Sequence, residues 1–350
     1  MMTSRENILR ATRFEKPESI PMSFHINASC WHHYDQNALQ DLMASHPVLF
    51  PNFRRQDRVS PHYDLNQRKD EPYTDPWGCV WQTTDNGITG TVRHHPLANW
   101  SNFREYNAPD PGTTDGTYPV NWKDIRNLVD KQKKMGELVC GSLPHGHTFL
   151  RLQDIRGYEN LIFDMIDEEP NLKILIQMVE DFNYRYVCRW LDLDPDMMSY
   201  PEDLGMQKGP MLSPENFRRY IKPVYQRLMK PARDQGCIVH MHSDGDIRTL
   251  VHDLIEGGVD VLNLQDLVNG IDWIADKFAG RTCIELDIDR QTITPRGAPE
   301  QIDRLILEEV GKLGRKEGGL MMVYGLYPGV PPENIAALMD AMEKYAGYYS

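Results

Sequence analysis

With 350 residues, 40% of them hydrophobic, the chain can bury a full-sized core and suits one α/β barrel with insertions. A formal net charge of −13 repels a phosphate backbone, and no basic run with interleaved aromatics offsets it, so no nucleic-acid partner is expected. The opening segment MMTSRENILRATRF lacks the apolar stretch of a signal peptide, and no run of about 18 apolar residues is present to cross a bilayer, so a cytoplasmic protein without a membrane partner is expected.

Taken in chain order, a first strand is expected at Ile20 to His25. The region from Pro47 to Pro119, rich in Pro, Asn, Asp and aromatics, is read as an insertion capping a barrel mouth, with a tight hairpin at Asn86-Gly87 inside WGCVWQTTDNGITGTV. From about residue 138, short apolar runs alternate with helical patterns, as β-α units of a parallel sheet require. Strands are expected at Leu138 to Leu143, Met198 to Leu204, Cys237 to His242, Val261 to Leu264, Thr282 to Ile288 and Leu320 to Leu326. Helices are expected at Ser213 to Gln235, Ile247 to Gly257, and Pro299 to Leu313, the last opening with Pro and acidic residues. Seven strands of an eight-stranded barrel are then in view, and residues 1–350 read as a single (β/α)₈ TIM-barrel domain. The six cysteines are scattered without a C-x-x-C pair, which argues for buried, reduced core residues rather than disulfides or a thiolate zinc knuckle.

Two strands carry polar residues where a packed interior calls for apolar ones. Residues two apart share a face, so Cys237-Ile-Val-His-Met-His-Ser-Asp places His240, His242 and Asp244 on one parity. Thr282-Cys-Ile-Glu-Leu-Asp-Ile-Asp does the same with Glu285, Asp287 and Asp289. Burying such groups unpaired costs roughly several kcal/mol each, so they pair, bind a metal, or face a solvated pocket. Imidazole and carboxylate together suit a divalent ion such as zinc, or general acid–base work without one. The plainer alternatives are a hydrogen-bonded core role for His240 and an outward-facing, ion-paired Glu285.

Six segments in order resemble the uroporphyrinogen decarboxylase superfamily: Ser4-Arg-Glu-Asn-Ile-Leu-Arg-Ala, Asp75-Pro-Trp-Gly-Cys-Val-Trp, Glu202-Asp-Leu-Gly-Met-Gln, Leu212-Ser-Pro-Glu-Asn-Phe-Arg, His242-Ser-Asp-Gly-Asp-Ile and Pro328-Gly-Val-Pro-Pro-Glu-Asn-Ile. The resemblance implies a (β/α)₈ barrel, and either decarboxylation of porphyrinogens or methyl transfer with a corrinoid protein. The decarboxylases carry an Arg-rich segment near the first strand that grips substrate carboxylates; here the stretch reads Ile20-Pro-Met-Ser-Phe-His-Ile-Asn-Ala, without that cationic clamp. In the thiol-methylating branch, zinc is held by His-x-Cys and by a later Cys; Asp244 and Tyr324 stand at those thiolate positions here.

Replacing thiolates by oxygen and nitrogen leaves an ion more electrophilic, which suits polarising an oxygen. The resemblance therefore implies a methyltransferase that takes a methyl group from a small-molecule O-methyl donor, a methoxylated aromatic among the candidates, and passes it to a corrinoid protein. In that reading His242, Asp244, Glu285 and Asp287 are the candidate zinc ligands, and His242, Tyr324 and Asp203 the catalytic candidates. His25, Gln207, His145 and Trp77 are candidates to line the substrate. His147, beside His145 in Leu143-Pro-His-Gly-His-Thr, belongs to the same loop, and Trp81 to the same insertion. The alternatives are a metal-independent decarboxylase and a non-catalytic binding barrel; superfamily members are monomers or dimers, so a homodimer stays open.

Overall fold

Short apolar runs, too brief for helices and bounded by Gly, Pro or Asp, become strands in the computed structural model, which describes residues 2–349. In chain order the strands are β1 Met22–Ile26, β2 Tyr73–Thr74, β3 Val80–Gln82, β4 Thr91–His94, β5 Cys140–Ser142, β6 Met197–Ser199, β7 Glu202–Asp203, β8 Gly205–Met206, β9 Gly209–Pro210, β10 Ile238–Asp244, β11 Val261–Gln265, β12 Cys283–Asp287 and β13 Leu320–Leu326, of which the short β4, β7, β8 and β9 are not apolar runs. Leu320–Leu326 has the expected bounds, five other expected strands differ by at most two residues at an end, and the stretch expected from Met198 to Leu204 is split into Met197–Ser199 and Glu202–Asp203. The residues group into two units: Met1–Lys69, Thr83–Thr89 and Asn263–Ser350 form the first, Asp70–Gln82 and Gly90–Leu262 the second.

In the first unit β13 lies between β1 and β12, all parallel, with Met322 registered against both Met22 and Leu286. The pairing of the first strand with the last is the ring-closing contact of a barrel. Helices Pro299–Leu313 and Pro332–Ala346 each begin with Pro, whose missing N–H costs nothing there, and bury the aliphatic stripes Ile302, Leu305, Ile306 and Ile335, Leu338, Met342. The amino-terminal helix Ser4–Arg13 is capped by the Thr3 hydroxyl, which accepts from the Glu6 N–H.

In the second unit β6 lies between β5 and β10, again parallel. Helix Pro170–Leu191 covers this layer with Leu172, Leu175, Val179 and Phe182. The stretch expected as one helix from Ser213 to Gln235 is interrupted by a π-turn at Phe217–Ile221. Pro223 follows directly; it has no N–H to give the carbonyl four residues back, and the wider turn accommodates that gap. The helix expected from Ile247 starts instead at Val251, after a turn in which Arg248 closes on Asp246 at 2.8 Å. The insertion supplies the antiparallel sheet β2-β3-β4. Its β3–β4 connection, residues 83–90, is longer than a tight two-residue turn, with Gly87 at φ +84°. Parallel strands alternating with helices, with the first strand paired to the last, make this an α/β fold of TIM-barrel type. Among the described residues no helix is long and apolar enough to cross a membrane.

Candidate active site

Strand β10 alternates as its sequence requires: Val239, Met241 and Ser243 are fully buried, whereas His240, His242 and Asp244 on the other parity are only partly so. The polar stripe therefore faces a less enclosed space than its apolar counterpart. His240 accounts for itself by a 2.9 Å hydrogen bond between Nδ1 and Ser199 Oγ.

The partners of His242 come from the neighbouring strand. Pro201 interrupts β6, and β7 resumes the parallel pairing with Ser243 opposite Glu202 and Asp244 opposite Asp203. Immediately beyond, Gly205 and Gly245 touch backbone to backbone; a Cβ on Gly245 would lie 2.2 Å from the Gly205 carbonyl carbon. Only two glycines allow that approach, and it presses the β7 end against the His242-Ser-Asp-Gly turn. Asp203 Oδ1 accepts the Asp244 N–H at 3.1 Å and stands 3.5 Å from His242 Nε2. The loop after β5 supplies His145, whose Nε2 stands 3.3 Å from the same Oδ1. Gly146 anchors that loop, donating to the Pro201 carbonyl at 2.9 Å. Asp244 Oδ1 lies 3.6 Å from His242 Nε2, and the two imidazole rings are 5.8 Å apart.

Burial works against ionisation of Asp203, but hydrogen bonds from His145 and His242 outweigh it and hold the carboxyl well below its ordinary range. Partial burial likewise disfavours charge on His145, and the Asp203 carboxylate overcomes this, raising the imidazole above its ordinary 6.5. The side chain of His145 remains half exposed. The cluster is thus an anionic hub with one imidazole biased toward its protonated form at the solvent side. One ligand atom from each of His145, Asp203 and His242 lies within 4.8 Å of the others, so the three are also able to hold a cation.

Glu202, one residue before Asp203, points to the opposite face and is fully buried. Its Oε2 accepts from the Thr148 and Phe149 N–H groups and the Tyr225 hydroxyl, and its Oε1 from the Leu150 N–H, at 2.9–3.1 Å. The carboxyl closes the amino end of helix Phe149–Arg156, directly after the His145 loop. His147 is buried beside it, its Nδ1 2.6 Å from the Thr148 hydroxyl; burial and then the charge of His145 push its pKa down to about 3. Sequence reasoning missed Glu202, although a Glu-Asp pair at a strand end, facing opposite ways, was the available signal. It also missed Asp154, whose carboxyl burial pushes up to about 7 against the pull of Arg151.

Of the remaining candidates, Trp77 is 2% exposed and packs edge-on against Phe182 of helix Pro170–Leu191 with centroids 5.2 Å apart, so it is packed inside the second unit instead of offering a face to a substrate. Gln207 is exposed in the β8–β9 turn. In the first unit, Tyr324 is 1% exposed, stacks near Phe24 and donates its hydroxyl hydrogen to Thr294 Oγ1 at 3.1 Å. Asp287 is ion-paired with Arg290 at 2.7 Å, and Glu285 occupies the one less-buried position of β12. His25 is exposed on β1, and Asp289 binds the N–H groups of the turn that follows it. Within the second unit, the groups that meet His242 are Asp203, a catalytic candidate, Asp244, a ligand candidate, and His145, a substrate candidate.

The sequence pattern of the family described as uroporphyrinogen decarboxylase (URO-D) matches residues 87–345. A uroporphyrinogen decarboxylase of Thermus thermophilus is 30% identical over 137 residues, 39% of this chain and 38% of that protein. One of Syntrophotalea carbinolica is 25% identical over 147 residues, 39% of each. The match thus spans well under half the length of these curated relatives. Among solved structures, a methyltransferase from Methanosarcina mazei superimposes with a TM-score of 0.67 over 100% of both chains at 15% identity, a likeness of fold.

Proposed function

The chain belongs to the uroporphyrinogen decarboxylase family, and from that premise we propose that it is a corrinoid-dependent methyltransferase acting on a small O-methyl donor, of which methoxylated aromatics are the leading class. The observation that carries this reading is the convergence of two imidazoles on one carboxylate, His145 and His242 on Asp203 Oδ1, with nitrogen and oxygen donors alone. Such a set suits chemistry at a departing oxygen. In the proposed step the methyl carbon passes to the cobalt(I) of a corrinoid protein, the C–O bond breaks, and its electron pair stays on oxygen. An alkoxide or phenoxide is a poor leaving group until it is protonated or bound to positive charge.

His145 and His242 supply the proton. Asp203 stands beside both rings and favours the imidazolium of His145, which is half exposed and able to recover its proton from solvent. The same three donors fit a divalent ion: two borderline nitrogens and one oxygen, with coordination positions left over, the pattern of a catalytic zinc. When bound, zinc supplies positive charge at the leaving oxygen. Asp244, 3.6 Å from His242, is the available fourth protein group.

Mixing the protein with a reduced corrinoid protein and a panel of methoxy compounds tests the reaction: the cobalt(I) spectrum should disappear with the true donor, and Asp203→Asn should slow that decay by roughly 10²-fold or more. Metal analysis of wild type and His242→Ala separates the proton-only version from the zinc version. If no donor consumes cobalt(I) while a carboxylated substrate releases carbon dioxide, the activity named by the curated relatives replaces this one.

A further inference from the structure

In the first unit, two adjacent histidines converge on a single carboxylate. The short helix Cys30–His33 is pinned from below by Cys30, which is fully buried and donates its thiol hydrogen to the Leu326 carbonyl at 3.3 Å. Tyr34 closes the helix and ties it to Val330 at 2.9 Å. His32 and His33 are therefore held at the end of an anchored turn. Facing them is Asp85: His32 Nε2 stands 3.2 Å from Oδ1 and His33 Nε2 2.7 Å from Oδ2. The two rings are 4.5 Å apart.

Asp85 is held as firmly as the histidines. The Thr83 hydroxyl accepts its N–H, the Asn86 side chain accepts the Lys69 N–H, and the Gly87 N–H donates to the Gln67 carbonyl at 2.9 Å. Gly87 has φ +84°, and a Cβ there would lie 2.5 Å from the Ser29 nitrogen. The 85–87 turn thus rests directly on the residues that start the histidine helix, a contact only glycine permits.

We propose that His32, His33 and Asp85 form a surface zinc site, separate from the Asp203 cluster. One ligand atom from each lies within 4.8 Å of the others. Donors about 2.0–2.1 Å from a tetrahedral zinc are about 3.3–3.4 Å from one another. The His32–Oδ1 separation of 3.2 Å and the His33–Oδ2 separation of 2.7 Å fall short of that figure by about 0.1 and 0.6 Å, so the donors open by that much to admit an ion. His32 carries the outer partner that metal-bound histidines use: with Nε2 on the ion, Nδ1 keeps its hydrogen and the Tyr63 oxygen, 3.1 Å away, accepts it. The three side chains are 36–41% exposed, so an ion reaches them from solvent and keeps a water or a further ligand. The net charge of −13 draws cations to the surface generally.

The test is a zinc titration against a competing chromophoric chelator, using full-length His145→Ala/His242→Ala protein so that the other cluster is silent. One equivalent should bind, and His33→Ala and Asp85→Asn should each weaken it by roughly tenfold or more. Cobalt(II) should give the visible bands of a low-coordinate site in the parent and lose them in His33→Ala. If the double variant fails to fold, the same pair of substitutions in wild type should lower zinc stoichiometry by one equivalent. Absence of zinc binding, or unchanged binding in either His33→Ala or Asp85→Asn, overturns the assignment.

Discussion

Asp203 is charged because two imidazoles lie against it, and each partner's shift has its own pH consequence. The carboxyl is held below its ordinary 3.8, so its stabilising effect is present above that value and is lost as the pH falls toward the folded-state pKa. The His145 imidazole is raised above 6.5, so its contribution is present below 6.5 and is lost as the pH rises through the folded-state value. Both effects coexist between 3.8 and 6.5. The melting-temperature deficit of Asp203→Asn should therefore be largest in that window and shrink on either side, as read by thermal scans from about pH 3 to 9. A deficit independent of pH would mean that Asp203 serves only as a hydrogen-bond acceptor for the Asp244 N–H.

Two elements are decided by single positions. Gly245→Ala meets both a φ of +79° and the Gly205 backbone, so the β7 end must retreat from the β10 turn. A loss of roughly 1–3 kcal/mol in chemical denaturation is expected, together with weaker affinity for zinc at the proposed His145, Asp203 and His242 site. Wild-type stability in this variant would show that the turn relaxes freely. In the first unit, helix Pro299–Leu313 carries Glu309 wholly buried near the Asp266 and Asp289 carboxyls. Burial first, then those neighbours, push its pKa well up, so its neutral form is the one compatible with the fold. A raised carboxyl pKa favours the fold below the unfolded value of 4.5 and turns unfavourable as the pH rises through the folded-state value. Glu309→Gln, permanently neutral, should gain melting temperature over wild type at and above neutral pH, with the gap closing near 4.5. A gap that stays constant with pH would contradict a neutral Glu309.

For the whole molecule, thiol chemistry gives the simplest check on packing. All six cysteines are thiols; Cys30, Cys79, Cys237 and Cys283 are buried, Cys188 is partly buried and Cys140 exposed. Burial pushes the Cys30 and Cys237 thiols up to about 12, which suppresses the reactive thiolate. An aromatic disulfide reagent should label Cys140 quickly in native protein, Cys188 more slowly, and the other four only on unfolding. Rapid labelling of more than two thiols would mean a looser fold than this one.

The order and kind of the barrel strands were legible in the chain because strand patterning is local: apolar runs of a few residues between turn signals are readable without knowing what they pair with. So was the parity of His240, His242 and Asp244, since a period of two needs only one strand. The π-turn before Pro223 and the long β3–β4 connection were not read, because each depends on how neighbouring turns share hydrogen bonds. Tyr324 and Trp77 carried the chemistry of site residues, and only packing revealed one hydroxyl committed to Thr294 and one indole closed against Phe182. The company of His242 was likewise a tertiary matter: Asp203 comes from another strand and His145 from the loop after β5, and sheet register with the Gly205–Gly245 approach brings Asp203 to the ring. Sequence alone determined which groups are ionisable and which strands present them; tertiary structure decided which of them meet, because a hydrogen bond needs donor and acceptor within about 3 Å and chain order imposes no such distance.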